Sequence, residues 1–290
     1  MSASQLKHEF IMMAKRNKDG SFATQKNRLS SLVQMSKQIN QLGYRVSYPK
    51  QLKPKHVDAL VTKWKEDGIT DGVMKNRLSV VRWWAEKVGK SSVVRNDNLS
   101  YGINNRTYVT NQDKSKSLDQ GKLDQVRCEF LKTSLMLQEA FGLRREESIK
   151  FDARFAVKSD KIVLKDTWCK GGKQRSIPIE TNKQRQVLER IERISTNGCL
   201  IPPSKNYVQQ LRRYENQTRL AGLDKMHGLR HRYAQDKYKA ITGTECKARG
   251  GLSRKDMTPK QKRLDTKARK IITQVLGHER LEIVAVYIGN

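Results

Sequence analysis

The chain has 290 residues, of which 59 are Lys or Arg and 29 are Asp or Glu, so its formal net charge is +30. A charge of this size attracts polyanions at neutral pH, and such association should weaken steeply as salt rises. The net charge is compatible with four classes of partner: DNA, RNA, anionic membrane surfaces and acidic proteins. No apolar run approaches the ~20 residues of a membrane span, and the N-terminus lacks the apolar core of a signal peptide, so we expect a cytoplasmic protein.

The first hundred residues have the periodicity of a helical module. Apolar side chains recur every three to four residues over 4–17 and 24–41, Pro54 begins a third helix, and a fourth extends to Val88. Basic residues are frequent in this module and acidic ones are few, so we expect one of its faces to contact phosphates. For any single basic residue, a solvated surface is the alternative. The DNA-binding candidates on the fourth helix are Lys75, Arg77 and Arg82.

A polar stretch without periodicity, residues 92–117, follows this module and predicts an inter-domain linker. The chain is therefore expected to form an N-terminal domain at 1–91 and a larger domain at 118–290. In the larger domain, helical patterns surround a region of strand-like alternation. The strands are predicted at 155–157, 161–164 and 175–179. The predicted fold class is mainly α with a small antiparallel β-sheet (α+β).

The cysteines do not have the spacing of a metal site. Cys128, Cys169, Cys199 and Cys246 lie at least 30 residues apart. A disulfide framework is not typical of a large chain with so few cysteines. We therefore expect free thiols and no metal.

The first motif that carries chemistry is Gly142-Leu143-Arg144. An arginine just after a helix junction can present its planar guanidinium to a phosphate through two hydrogen bonds. Glu147 follows about one helical turn later and can hold that side chain in place. Arg145 is a competing candidate, although an adjacent helical residue points about 100° away. Taken alone, the motif describes an ordinary helix surface.

The second motif is a basic turn, Lys170-Gly171-Gly172-Lys173, with Arg175 two residues further on. A lysine at the tip of a hairpin has the reach and the adjustable pKa to donate a proton to a leaving oxygen. Lys173 and Arg175 are further DNA-binding candidates. The alternative is a turn that contacts only backbone phosphates or solvent.

Two histidine motifs complete the set. His227 and Arg230 lie three residues apart, so on a helix they share a face and can reach one phosphate; His231 follows directly. Further on, His278 precedes Tyr287 by nine residues, which places the tyrosine on a short segment near the chain end. Together the motifs supply two arginines, a lysine, two histidines and a phenol, the groups needed to cut and rejoin a phosphodiester without a metal.

In this order the motifs resemble those of the tyrosine recombinases, or phage-type integrases. The catalytic domain of that family carries Gly-Leu-Arg-x-x-Glu, a hairpin Lys-Gly-x-x-Lys, His-x-Leu-Arg-His, Leu-Gly-His and a tyrosine nine residues after the last histidine. The resemblance covers about 118–290, and 1–91 is similar to the helical SAM-like core-binding domain of the family. It implies a C-shaped clamp around double-stranded DNA and a tetramer on synapsed sites. It also implies a bacterial, DNA-associated protein with an accessory DNA-bending or directionality factor and no membrane partner.

The resemblance also implies roles for single residues. Tyr287 would attack the scissile phosphate, giving a 3′-phosphotyrosyl bond and a free 5′-hydroxyl. Arg144 and Arg230 would stabilise the negative charge of the transition state.

The remaining catalytic roles concern protons. Lys170 would protonate the leaving 5′-oxygen, His227 would take or relay the tyrosine proton, and His278 would hydrogen-bond the phosphate. The acid and base roles of Lys170 and His227 could be exchanged. Glu147 and His231 would support these side chains, and the chemistry calls for no metal and no cofactor.

Two features depart from the family pattern. The gap between Arg230 and His278 is 48 residues, about twice that of compact members, which indicates an insertion at about 239–267. It could reach DNA or a neighbouring subunit, or be a plain surface insertion. Only three residues follow Tyr287, which leaves little chain for the C-terminal helix that many relatives dock onto a neighbouring protomer.

The predicted function is a site-specific DNA recombinase, an integrase that integrates or excises a mobile element. Two alternatives stay open. A type IB topoisomerase-like strand transferase would use the same nucleophile without a second DNA partner. An architectural DNA-binding protein would carry a decayed catalytic domain, but the required residue stands at all six catalytic positions.

Overall fold

Helices dominate the structure, a computed structural model that describes residues 2–290, with side chains from residue 4 onwards. It separates into two compact units, Met1–Thr107 and Tyr108–Asn290, whose boundary lies within the segment predicted as a linker. The first unit contains α1 (Ser2–Arg16), α2 (Phe22–Gln41), α3 (Pro54–Glu66) and α4 (Asp71–Lys87). Helices α1 and α2 begin and end within two residues of their predicted bounds, α3 begins at Pro54 as predicted, and α4 ends one residue before the predicted Val88.

The core of the first unit is built around two tryptophans. Trp64 and Trp84 are almost fully buried, and the ring of Phe10 meets that of Trp84 edge-on at 6.4 Å. The indole N–H of Trp64 donates to Gln38 Oε1 at 3.0 Å, which satisfies the buried donor. Such a cluster removes a large apolar area from water and stabilises a small helical unit.

Part of the predicted linker belongs to this core. Val93, Val94, Tyr101 and Ile103 are buried in it, on two short 3-10 turns and the residues that follow each turn. The apolar residues of these turns follow neither a helical nor a strand period, so hydrophobic periodicity could not detect them.

The second unit is also mainly helical. Its helices are α5 (Gln120–Asp124), α6 (Glu129–Phe141), α7 (Arg145–Ile149), α8 (Ala153–Ala156), α9 (Asn182–Ile194), α10 (Tyr207–Leu220), α11 (His227–Thr242), α12 (Pro259–Leu276) and α13 (Ala285–Ile288). Its two strands are β1 (Lys161–Leu164) and β2 (Arg175–Pro178). Helices α6, α9, α11 and α12 surround one apolar core.

The sheet has two strands rather than the three predicted. Strands β1 and β2 pair antiparallel, with Ile162 opposite Ile177, and the basic turn motif lies between them. The segment predicted as the first strand instead forms α8, and Val157 makes only a single bridge to the sheet. The Asp152 side chain accepts from the backbone N–H of Arg154 and so favours a helical turn at that point. The mainly α class with a small antiparallel sheet is confirmed.

Among residues 2–290, no helix is both long and apolar enough to span a bilayer. All four cysteines are free thiols.

Candidate active site

Five of the six predicted catalytic residues line one open cavity of about 510 Å³ in the second unit. They are Arg144, Lys170, His227, His278 and Tyr287. The sixth, Arg230, lies behind the cavity wall, where its Nε is 3.4 Å from the Tyr287 hydroxyl. The fold therefore brings all six together, although 143 positions separate the first from the last.

Gly142 is what allows Arg144 to enter this cavity. Helix α6 ends at Phe141, and the φ of the next residue, Gly142, is 62°, in the left-handed region that favours glycine. A Cβ at this position would stand 2.5 Å from the ring of Tyr233, so no other residue fits without a shift. The chain then turns at once, and Arg144 becomes the residue that precedes the first turn of α7.

Arg144, and not Arg145, faces the candidate site. The backbone N–H of Arg144 donates to Glu147 at 2.6 Å, and its Nη1 donates to the same carboxylate at 2.8 Å. Arg145 points elsewhere and pairs with Glu215 on α10 at 3.0 Å. Of the two candidates, Arg144 is therefore the one whose side chain lines the cavity.

Glu147 is completely buried and forms ion pairs with two arginines. In addition to Arg144 it accepts from Arg175, through Nη1 at 2.8 Å and Nη2 at 2.7 Å. Burial alone would raise the pKa of Glu147, but the hydrogen bonds and charge of Arg175, with the charges of Arg230 and Arg144, outweigh it and lower the pKa to about 2. The carboxylate is therefore ionised at any physiological pH.

Arg175 is too deeply buried to contact DNA in this structure. Its side chain is buried, with Nε donating to the Val275 carbonyl at 3.0 Å in addition to the pair with Glu147. Predicted as a DNA-binding candidate, Arg175 supports Glu147 instead. The alternating pattern of β2 points this residue inward, a signal that the basic turn obscured in the sequence. Lys173, by contrast, is exposed at the cavity and forms an ion pair with Glu279.

Arg230 joins the ends of two helices. Its Nη1 donates to the Gly142 carbonyl at 2.6 Å and its Nη2 donates to the Leu276 carbonyl, at the C-terminal ends of α6 and α12. Helix C-termini carry partial negative charge, which stabilises a buried cation there. Burial, opposed by the attraction of Tyr287 and assisted by the repulsion of Arg144, lowers the pKa of Arg230 to about 10. The guanidinium is thus still charged at neutral pH.

Three histidines surround the phenol of Tyr287. The ring centroids of His231, His278 and His227 lie 4.7, 5.5 and 5.9 Å from that of Tyr287. The Tyr287 hydroxyl is 3.5 Å from Nε2 of His227 and 3.4 Å from Nε of Arg230. The phenol is mostly buried and yet contributes to the cavity wall, so its oxygen has both a proton acceptor and a cation at hand.

The environment keeps these histidines neutral. Desolvation first, then the charges of Arg230 and Arg144, lower the pKa of His227 and bring that of His278 to about 3. Desolvation and the neighbouring His227 lower the pKa of His231 to about 4. A neutral imidazole can accept a proton, which suits His227 beside a phenol. The His278 Nε2 is buried without a partner in the described part of the chain, so it is a hydrogen-bonding group available to a ligand.

The first-unit candidates for DNA binding have different surroundings. Lys75 Nζ donates to Asn105 at 3.1 Å at the surface. The Arg77 guanidinium lies over the Trp64 ring, 5.2 Å from its centroid, with Nη1 buried. The Arg82 guanidinium bonds the loop that follows α4, at the Arg95, Asp97 and Asn98 positions. Arg77 and Arg82 therefore stabilise the first unit, and Lys75 stays accessible.

Two residues at the site had no signal in the sequence. Gln235 is fully buried on α11 and donates to the Tyr287 carbonyl at 3.1 Å. It also donates to Asp113 at 3.0 Å, in the segment predicted as a linker. Neither belongs to a motif, and only the folded chain brings them next to the tyrosine.

Comparisons with known proteins identify two family models that match the chain. A family described as phage integrase, N-terminal matches residues 3–94, and a family described as integrase matches residues 105–236. No curated protein matches the sequence.

Solved structures share the fold. A lambda integrase dimer bound to a COC′ core site superposes with a TM-score of 0.63 at 14% identity, covering 98% of this chain and 76% of that one. The Tn1549 transposon integrase in complex with circular intermediate DNA gives 0.58 at 12% identity, covering 100% and 96%. The XerH site-specific recombinase bound to palindromic difH substrate gives 0.57 at 15% identity, covering 99% and 80%. The chain belongs to the phage integrase family of tyrosine recombinases.

Proposed function

We propose that this protein is a site-specific DNA recombinase, an integrase that cleaves and rejoins DNA through a 3′-phosphotyrosyl intermediate for the integration or excision of a mobile element. The observation that carries this proposal is the position of the Tyr287 hydroxyl, between a buried guanidinium and a neutral imidazole in a cationic cavity. A phosphodiester is the polyanion unit that such a cavity fits.

The cleavage step assigns each proton and bond. The Tyr287 oxygen attacks the phosphorus and passes its proton to Nε2 of His227, while the bond from phosphorus to the 5′-oxygen breaks. That 5′-oxygen leaves with the bonding electrons and takes a proton from Lys170, which is exposed at the cavity. Attack by a 5′-hydroxyl on the phosphotyrosine reverses these transfers and reseals the strand, so the bond energy is conserved.

The cations stabilise charge as it develops on phosphorus. Arg144 faces the cavity and offers N–H groups to a non-bridging oxygen, while Glu147 holds it in position. Arg230 provides a second positive charge next to the attacking oxygen, and His278 offers its Nε2 to the phosphate. Preorganised donors of this kind are each worth a factor of about 10² to 10³ in rate.

The two units would divide the work. The N-terminal domain, predicted at 1–91, would act as a core-binding domain that holds duplex DNA, and the domain predicted at 118–290 would catalyse. Lys75 and Lys173 are the proposed phosphate contacts. Lambda integrase is described as a dimer on a core site and as a tetramer on a Holliday junction, and we propose the same for this chain, a tetramer on synapsed sites. An accessory DNA-bending or directionality factor would select the direction of recombination.

A covalent trap tests the proposal. Duplexes with the end sequences of the element and a 5′-bridging phosphorothiolate release a poor nucleophile, so the covalent intermediate accumulates. We expect a protein–DNA adduct on a denaturing gel that is absent with Tyr287→Phe. Strand exchange between two duplexes identifies a recombinase, whereas relaxation of supercoils without exchange would identify a topoisomerase-like enzyme. Tight, salt-sensitive binding without any adduct would contradict both.

A further inference from the structure

The C-terminal segment, residues 285–290, carries the nucleophile and is held by parts of the chain that the catalytic motifs do not include. One of these is the insertion, residues 239–267. The other is the short stretch 111–113, in the segment predicted as a linker. Both contact the C-terminal segment within the second unit.

The connection from the insertion starts at a buried acid. Asp265, on α12, is fully buried and accepts from the Tyr238 hydroxyl at 3.0 Å and from Arg254 at 2.5 Å. Arg269, one turn later, donates its Nε to the same carboxylate at 2.9 Å. With three donors around it, this carboxylate fixes the orientation of the Arg269 side chain.

Arg269 extends this network to the chain end. Its Nη2 donates to the Gly289 carbonyl at 2.9 Å, two residues beyond the nucleophile. Because a guanidinium is planar and holds its donors in a fixed fork, a bond to Asp265 on one edge fixes where the other edge can bind.

Gly289 fits into a narrow slot. Its φ of 81° lies in the left-handed region, and a Cβ there would be 2.8 Å from Asn111 Oδ1 and 2.9 Å from the backbone nitrogen of Ala248. Asn111 also accepts from the backbone N–H of Asn290 at 3.0 Å. The slot thus has one wall from the insertion and one from the stretch 111–113, and it admits only a residue without a side chain.

We infer that Arg269 is a positioning residue and that the insertion, through Asp265 and Arg269, anchors the C-terminal segment so that Tyr287 is held in the active site of its own chain. The anchor contacts the backbone of Gly289 and Asn290 and not the Tyr287 hydroxyl. It restrains the backbone two residues after the tyrosine, while Gln235 restrains the tyrosine carbonyl itself. A displacement of the nucleophile by about 1 Å can cost a factor of about 10² in rate, so such restraint matters for cleavage. This inference rests on the proposed function of Tyr287.

The variant Arg269→Lys separates the two contacts of Arg269, the ion pair with Asp265 and the hydrogen bond to the Gly289 carbonyl. Lysine keeps a cation beside Asp265 but offers a single nitrogen, so it cannot also hold Gly289. The control is Arg190→Lys, because Arg190 forms an ion pair with Glu129 at the surface between α9 and α6, remote in the sequence from the C-terminal segment. Asn111→Gly removes the other wall of the slot at an exposed position, where glycine also tolerates the φ of 52°.

Three measurements on the full chain test the inference: the single-turnover rate of adduct formation, the Kd for the same duplex, and hydrogen exchange of the amides of 285–290. We expect Arg269→Lys and Asn111→Gly to slow adduct formation about tenfold, to leave Kd within about twofold, and to speed exchange in the segment. Arg190→Lys should match the unmodified protein in all three.

Equal rates for Arg269→Lys and Arg190→Lys would overturn the inference, and so would faster cleavage, because the contact would then restrain the enzyme. If the unmodified protein forms no adduct, the proposed function fails. The exchange measurement still decides the anchor in that case, since it does not depend on catalysis.

Discussion

The buried carboxylate of Glu147 accepts two hydrogen bonds from the guanidinium of Arg175, at 2.8 and 2.7 Å. The same carboxylate positions Arg144, which faces the candidate phosphate site. A side chain remote from any substrate therefore decides where a catalytic cation points. Its loss should affect both stability and rate.

Glu147→Gln should destabilise the protein strongly. Removing one partner of a buried ion pair leaves the other charge uncompensated, at a cost of about 3–5 kcal/mol in the free energy of unfolding. Urea denaturation of the variant measures this cost. Glu146→Gln is the control, because Glu146 is an exposed partner of Lys150 and its loss should cost less than about 1 kcal/mol. Equal losses in the two variants would show that the buried pair has no special role.

The stability of the protein at low pH should depend on the Glu147 carboxylate. Its pKa is about 2 in the folded protein and 4.5 for an ordinary glutamate, so its contribution to stability is complete above pH 4.5 and is lost as pH falls towards 2. The difference corresponds to about 3 kcal/mol. The urea midpoint of the unmodified protein should therefore fall more steeply below pH 4.5 than that of Glu147→Gln. Parallel pH profiles would contradict the assignment.

Protonation of His278 should affect stability at higher pH than protonation of Glu147. Because desolvation and nearby arginines bring its folded pKa to about 3, the unfolded chain binds a proton at this histidine below pH 6.5 and the folded chain does not. The folded state should thus lose stability as pH falls from 6.5 towards 3. His278→Gln removes this group, so the variant should lose less stability between pH 6.5 and 4. A loss as large as in the unmodified protein would exclude His278 as its source.

The rate of cleavage should depend little on pH near neutrality. Partial desolvation and the charges of Arg230 and Arg144 lower the pKa of His227 below 6.5, so this imidazole can still accept the Tyr287 proton at pH 6.5. The rate of single-turnover adduct formation should therefore fall to half of its plateau value only below pH 6.5. A decline that is half complete at pH 6.5 or above would show that His227 has an ordinary pKa or is not the proton acceptor.

Substitutions of basic residues should affect either the salt dependence of DNA binding or the stability of the protein. Lys173→Gln removes a cation exposed at the cavity, so it should reduce the slope of log K against log salt by about 0.9 with no change in stability. Arg82→Gln removes the bonds that hold the loop at Arg95 to Asn98, so it should destabilise the first unit and leave the slope unchanged. If Arg82→Gln also reduced the slope in the folded protein, the residue would have to contact phosphate.

The set of residues that meet at the candidate site was predictable from the sequence, because its motifs are short and ordered. His227 and Arg230 share a helical face at a spacing that sequence alone predicts, and Gly142 marks the end of α6. The role of Arg175 was not predictable, because a basic residue in a basic turn looks like a phosphate ligand until its burial is known. The buried pair with Glu147 joins residues 28 positions apart, and no local pattern encodes such a contact.

The less regular parts of the fold were harder to predict for a related reason. Four residues of the predicted linker belong to the first core without a helical or strand period: Val93, Val94, Tyr101 and Ile103. The polar composition of 92–117 as a whole concealed them. Likewise, the contact of Asn111 with Asn290 spans 179 positions and depends on a single polar side chain. Periodicity identifies long amphipathic elements, whereas single long-range contacts appear only once the chain is folded.

The nucleophile can be identified directly by mass spectrometry of the covalent adduct. After nuclease and trypsin digestion, cleavage behind Arg280 yields the C-terminal peptide 281–290, in which Tyr287 is the only tyrosine. The mechanism predicts that the residual nucleotide is attached to this peptide through its 3′-phosphate. A nucleotide found on any other peptide, or joined through a 5′-phosphate, would contradict Tyr287 as the residue that cleaves DNA.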